Sequence, residues 1–142
     1  MTTPVQVFEG SCHCGAIGFT FSSRSGPESW RVHACQCRFC RSHGARTTAD
    51  PKGRVSFRIS GEAQLQRYRF ALRTADFLVC RTCGVYLAAV LTSPRGQFAT
   101  LYVNTIRGAF VVEAEPTSYD GESSEQRLAR RERQWTPVVE AA

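Results

Sequence analysis

The stretch GSCHCGAIGFTF, residues 10–21, joins two signals. Its first half sets Cys12 and Cys14 one residue apart and follows them with Gly15. Its second half alternates Ile17, Phe19 and Phe21 with small or polar residues, the period of a strand with one buried face. The same grammar returns in DFLVCRTCGVYLAAV, residues 76–90, where Cys80, Cys83 and Gly84 sit between two apolar runs. Sulfurs one or two residues apart can face one ion at about 2.3 Å. A glycine after the second cysteine lets the backbone turn back so that its N–H groups reach the sulfurs. Cys12, Cys14, Cys80 and Cys83 are therefore expected to form a closed four-cysteine zinc site pinning the first hairpin to a later one. A redox reading of Cys80 and Cys83 would want a helix between parallel strands, and the sequence there reads as strand, turn, strand.

Three cysteines remain, all in CQCRFC, residues 35–40. Three protein ligands with an open fourth position is the arrangement of a catalytic zinc. Cys35, Cys37 and Cys40 are the candidates, and His33 or His43 could instead close the site as a second structural zinc. His13, between two ligands of the other set, is expected to face solvent or to support the ligands from behind, not to be a ligand itself. Three thiolates on Zn²⁺ leave a centre of net charge −1, a weak Lewis acid. It suits keeping a fourth sulfur as a nucleophilic thiolate better than splitting water. An exogenous thiol such as glutathione fits, with a small aldehyde as the electrophile. Arg38 and Arg41 flank the set and are candidates for pairing with substrate carboxylates or a developing oxyanion. Without metal, the same three thiols could act as an oxidation sensor.

Around these motifs the chain reads as short strands: 16–21, 54–60, 64–70, 76–80, 85–90, 98–106 and 109–115, each bounded by turn residues. A short helical turn is expected from about Cys40 to Arg46. One convincing helix, SSEQRLARRERQW at 123–135, has Ser123 or Ser124 as its cap. The prediction is a mainly β domain over 1–115 and a polar, partly helical tail over 116–142. The 142 residues suit one domain. No basic start with a long apolar run and no membrane span is visible, so a cytoplasmic, reducing compartment is expected and disulfides are disfavoured. The formal charge is +6. Residues 1–115 carry all the excess, and the tail is expected to be a mixed-charge, solvated helix, with any anion-attracting surface on the β domain. That charge is the sole support for the alternative, a non-catalytic two-zinc module binding protein or nucleic acid; no finger or helix-turn-helix pattern accompanies it.

GSCHCGAIGF, CQCRFCRSHGA and FLVCRTCGVYL, in this order, resemble the glutathione-dependent formaldehyde-activating enzyme family, whose domain also occurs in centromere protein V. The resemblance runs from about Gly10 to about Gly108. It implies a β-tent-like fold of small antiparallel sheets, a structural zinc at Cys12, Cys14, Cys80 and Cys83, and a catalytic zinc at Cys35, Cys37 and Cys40. The implied activity joins formaldehyde to glutathione as S-hydroxymethylglutathione, in the class of carbon–sulfur lyases. The family often has His between the first two cysteines of the middle cluster; here Gln36 stands there.

Overall fold

The computed structural model describes residues 3–70, 74–109 and 113–139. In chain order the strands are β1 (Gln6–Ser11), β2 (Ile17–Ser23), β3 (His33–Cys35), β4 (Thr47–Thr48), β5 (Arg54–Ile59), β6 (Leu65–Tyr68), β7 (Asp76–Cys80), β8 (Tyr86–Ser93), β9 (Gly96–Tyr102), β10 (Glu115–Thr117) and β11 (Thr136–Pro137). Helix α1 (Arg38–His43) follows β3, and α2 (Ser124–Gln134) precedes β11. The fold is mainly β, as expected, with small antiparallel sheets and a short C-terminal helix.

The strands make two sheets. The smaller has the order β1-β2-β5. The larger runs β10-β3-β4-β9-β8-β7-β6, with β11 added alongside β9. Its pairs are antiparallel except β10 with β3, which run parallel. The alternation in β2 does what its period predicts: Ile17, Phe19 and Phe21 are fully buried. Across the sheet they face Ile59, Phe57 and Val55 of β5. Gly10 of β1 lies opposite Phe19, and a Cβ there would overlap the Phe19 ring. The glycine thus makes room for a phenylalanine ring of the strand beside it. Leu78, Leu87 and Leu101 from the central strands of the larger sheet complete this core.

A second apolar cluster lies against the other part of the larger sheet. It is built from Cys40, Phe77, Tyr86, Tyr102 and Trp135. Phe39 of α1 fastens the helix to it, with its ring 4.8 Å from Phe77 and 5.2 Å from Tyr86, both edge-on.

Several boundaries differ from the sequence-based expectation, each for a local reason. Helix α1 starts at Arg38, not near Cys40, because the Cys37 sulfur accepts the Cys40 N–H at 3.4 Å and caps it. It ends at Gly44, whose left-handed φ of 60° stops the helix. The strand expected over 98–106 ends at Tyr102, and Val103–Thr105 form a 3-10 turn in which the Thr105 hydroxyl donates to the Tyr102 carbonyl at 2.7 Å. Of the strand expected over 109–115, residues 110–112 lie outside the described residues, and β10 begins at Glu115.

Helix α2 has the expected start, a reciprocal cap: the Gln126 N–H donates to Ser123 Oγ at 3.1 Å, and the Ser123 N–H to Gln126 Oε1 at 2.9 Å. It is not solvated all round. Arg131 and Trp135 are buried, and Leu128 packs against the second cluster. After it, Thr136 pairs with Ala99 of β9, and Val138 bridges to Val55 of β5.

Candidate metal centres and their cavity

Two hairpin turns carry the first set of thiols. In the turn after β1, the Cys12 N–H donates to the Ile17 carbonyl at 3.0 Å, and Gly15 takes a φ of 85°. In the turn after β7, the Cys80 N–H donates to the Val85 carbonyl at 3.0 Å, and Gly84 takes a φ of 80°. Each glycine occupies a conformation that a side chain would strain. The two turns meet tip to tip: Cys14 and Cys80 sulfurs lie 3.6 Å apart and Cys12 and Cys14 sulfurs 3.7 Å apart. All four sulfurs lie within 4.8 Å of one another. The smaller sheet is thereby joined to the larger one. The Ile17 N–H also points at the Cys12 sulfur, at 3.4 Å. His13 is exposed and stands outside the set.

This spacing is that of ligands around one cation, and four bare thiolates could not hold it against their own repulsion. The titration of the thiols follows. Burial raises the Cys83 thiol, yet hydrogen bonds from the Cys14 and Val85 backbone and the neighbouring sulfurs outweigh it and bring it down to about 6. The Ala16 backbone favours the Cys14 thiolate, but the Cys80 thiol, desolvation and the Cys12 and Cys83 thiols together push it up to about 11.

The second set is assembled by one short segment. Cys35 ends β3, Cys37 caps α1 and Cys40 sits in the first turn of α1. Their sulfurs also lie within 4.8 Å of one another. Neither His33 nor His43 joins them at that range. The His43 ring lies tilted against Phe39, with centroids 4.7 Å apart. His33 is half-buried on β3, and burial followed by the charge of Arg31 lowers its pKa, so its imidazole is neutral at pH 7. The Cys35 and Cys40 thiols donate to Cys37 and bring its pKa down to about 2, while the Cys35 and Cys37 sulfurs push Cys40 far upward. One proton thus leaves the set readily, and the rest leave only if a cation takes their place. Both sets offer sulfur alone, a donor chemistry that favours zinc and other thiophilic ions over magnesium or calcium. Each set could hold a metal ion.

The two sets differ in what surrounds them. Cys35, Cys37 and Cys40 open into a cavity of about 620 Å³, and none of the four-sulfur set lines it. Aromatic side chains make up much of its wall, among them Trp30, Phe77, Tyr86 and Trp135. Tyr86 is fully buried, and burial together with the three nearby sulfurs holds its phenol well above its ordinary pKa. Arg38 and Arg41, expected beside the reacting centre, are exposed on α1 and do not line the cavity. Its arginines are instead Arg31, Arg127, Arg130 and Arg131, three of them on α2. The anion-attracting surface is therefore not confined to residues 1–115. The tail's charge sum concealed this, because Glu122 draws off two arginines without facing the cavity: Arg130 Nε lies 2.8 Å and Arg127 Nε 3.4 Å from its carboxylate. No spacing in the sequence marks Tyr86 or α2 as part of the site. The one hint in the sequence is the pair of apolar residues Leu128 and Trp135, seven apart and so on one face of a helix, the face that also carries Arg131.

Among the described residues, no helix is long and apolar enough to cross a membrane. Among solved structures, a Rhodobacter sphaeroides protein determined in a structural genomics programme is similar to this chain, with 28% identity and a TM-score of 0.57. The match covers 77% of this chain and 99% of that one. The family model described as glutathione-dependent formaldehyde-activating enzyme matches residues 7–119, a span that holds all seven cysteines and both sulfur sets. On this match the chain belongs to the glutathione-dependent formaldehyde-activating enzyme family.

Proposed function

We propose that the protein is a zinc-dependent carbon–sulfur lyase-like enzyme that adds a thiol, glutathione or a similar one, to formaldehyde or another small aldehyde. The observation that carries this reading is the contrast between the sulfur sets: four thiols closed on each other between two hairpins, and three thiols opening into a cavity. Two zinc ions per chain follow, a structural one at Cys12, Cys14, Cys80 and Cys83 and a catalytic one at Cys35, Cys37 and Cys40. Zinc held by three thiolates supplies a place where an incoming thiol stays ionised and nucleophilic.

The protein's own groups do the rest. The apolar, aromatic wall excludes water, which would compete for the aldehyde. When the sulfur attacks the carbonyl carbon, a C–S bond forms and the carbonyl π pair moves to oxygen, which must take up a proton. Tyr86 lines the cavity and keeps its phenol proton at any physiological pH, so it is the proton donor in this account. The thiol's proton leaves to solvent, solvent returns a proton to the Tyr86 phenolate, and the sum is thiol plus aldehyde giving a hemithioacetal. Seven unpaired thiols suit a reducing compartment, so the protein belongs in the cytoplasm.

Metal analysis of protein purified under reducing conditions tests the assignment. The wild type is expected to carry two zinc equivalents and Cys40→Ser one, with unchanged far-ultraviolet circular dichroism. Two equivalents retained in Cys40→Ser would refute the three-thiol zinc site.

A further inference from the structure

Among the described residues, three buried side-chain polar atoms have no hydrogen-bond partner in the protein: His33 Nδ1, Thr117 Oγ1 and Arg131 Nε. They come from three different elements, β3, β10 and α2. All three residues line the cavity of the three-thiol site. Unpaired buried polar groups are uncommon and costly, and three of them on residues that line one cavity point to something that pairs with them there.

Arg131 is the most telling of the three. It is 9% exposed, and no carboxylate of the described residues pairs with it. Its Nη1 donates to Thr74 Oγ1 at 2.7 Å, and its guanidinium lies over the Trp135 ring at 4.7 Å, so it is held in place rather than free to swing. Burial lowers its pKa to about 10, which leaves it fully charged at neutral pH. A buried, fixed, unpaired cation is expensive unless an anion completes it. A planar guanidinium best matches a carboxylate. Of the four arginines that line this cavity, Arg127 and Arg130 pair with Glu122 and Arg31 lies 3.6 Å from Glu115, which leaves Arg131 as the one without a carboxylate among the described residues; the cavity's aspartates are Asp50 and Asp120. Asp50 is already engaged by the Ser23 hydroxyl at 2.6 Å and the Lys52 N–H at 2.9 Å. Arg131 also lies beyond residue 119, outside the part of the chain that the family model matches.

We propose that Arg131, with His33 and Thr117, forms a carboxylate-binding subsite beside the three-thiol centre, so that the preferred substrate brings a carboxylate into the cavity. This rests on reading the three-thiol set as the reacting centre. The carboxylate belongs either to the thiol, as in glutathione, or to the aldehyde. Formaldehyde, with no charge to pair, would leave Arg131 to the thiol alone.

The chain's two tryptophans, Trp30 and Trp135, both line the cavity, so their fluorescence reports binding without turnover. Zinc-loaded protein would be titrated with S-methylglutathione, with its dimethyl ester, and with 4-oxobutanoate and its methyl ester. A saturable change is expected for at least one acid, with the matching ester at least tenfold weaker. S-methylglutathione binding tighter assigns the carboxylate to the thiol, and 4-oxobutanoate binding tighter assigns it to the aldehyde. Arg131→Gln is expected to lose tenfold or more of the acid's affinity, and Thr117→Val, which keeps shape and loses the hydroxyl, a few-fold. Equal affinity of acid and ester in the wild type overturns the subsite even if Arg131→Gln does not fold. Unchanged acid binding in a folded Arg131→Gln overturns it too. Adduct formation with glutathione and formaldehyde, followed separately, tells the two readings apart. Acceleration without acid–ester discrimination removes the subsite alone, and discrimination without acceleration removes the thiol-addition reading alone.

Discussion

Cys40 and Cys80 are both buried thiols on the larger sheet's side of the molecule, yet their losses are expected to differ in kind. Cys80 belongs to the set that joins the two sheets, so Cys80→Ser should unfold the domain or leave it stable only in excess metal. Cys40 belongs to a set that one segment assembles by itself, so Cys40→Ser should fold and fail at the chemistry. Tyr86→Phe keeps the ring's packing and removes the proton donor. It is expected to lower turnover by roughly 100-fold with zinc content unchanged, at the low end of what positioned acid catalysis contributes. Full turnover in Tyr86→Phe would assign the proton to another group. At this scale the sequence was most legible where spacing within a few residues carries the meaning: every cysteine cluster lies where its motif put it. It was least legible where a side chain's direction decides. The exclusion of His33 and His43 from the three-thiol set depends on where their rings point, and so does the absence of Arg38 and Arg41 from the cavity.

Among the elements, β2 was readable because seven residues give period two enough cycles to stand out. β3, β4, β10 and β11 have three residues or fewer, too short for any period, and they exist because neighbours hold them. Gly10 of β1 is a test of that mutual fit. Gly10→Ala forces the Phe19 ring from its place and is expected to cost about 1–3 kcal/mol in urea unfolding, with metal content retained. A cost near zero would mean that the ring moves freely. For α2, the Glu122 carboxyl is held below its usual 4.5, chiefly by hydrogen bonds from Arg130, against a smaller burial effect. A carboxyl with a depressed folded pKa stabilises the fold above its unfolded value and loses that contribution as pH falls through the folded one. Glu122→Gln should therefore lower stability at pH 7 by about 1–2 kcal/mol and flatten the fall in stability below about pH 4.5. A parallel shift at all pH values would contradict this.

For the molecule as a whole, the four-thiol set between the hairpins and the C-terminal tail both tie the smaller sheet to the larger. The tail returns to β9 and β5 through Thr136, Pro137 and Val138, and its helix roofs the cavity with Arg131 and Trp135. Counting charges gave no warning of this, because a sum of arginines and acids says nothing about which of them turn inward. A second sulfur set opening into an aromatic, arginine-lined cavity is what makes the site a reaction vessel in this account, and rate is what decides it. The decisive measurement is the rate at which glutathione and formaldehyde form their hemithioacetal, followed by exchange NMR with zinc-loaded wild type and with Cys40→Ser. The wild type is expected to accelerate the exchange well above the spontaneous rate, and Cys40→Ser is not. A wild type that leaves the exchange at its spontaneous rate, or a Cys40→Ser variant as fast as the wild type, would contradict this account.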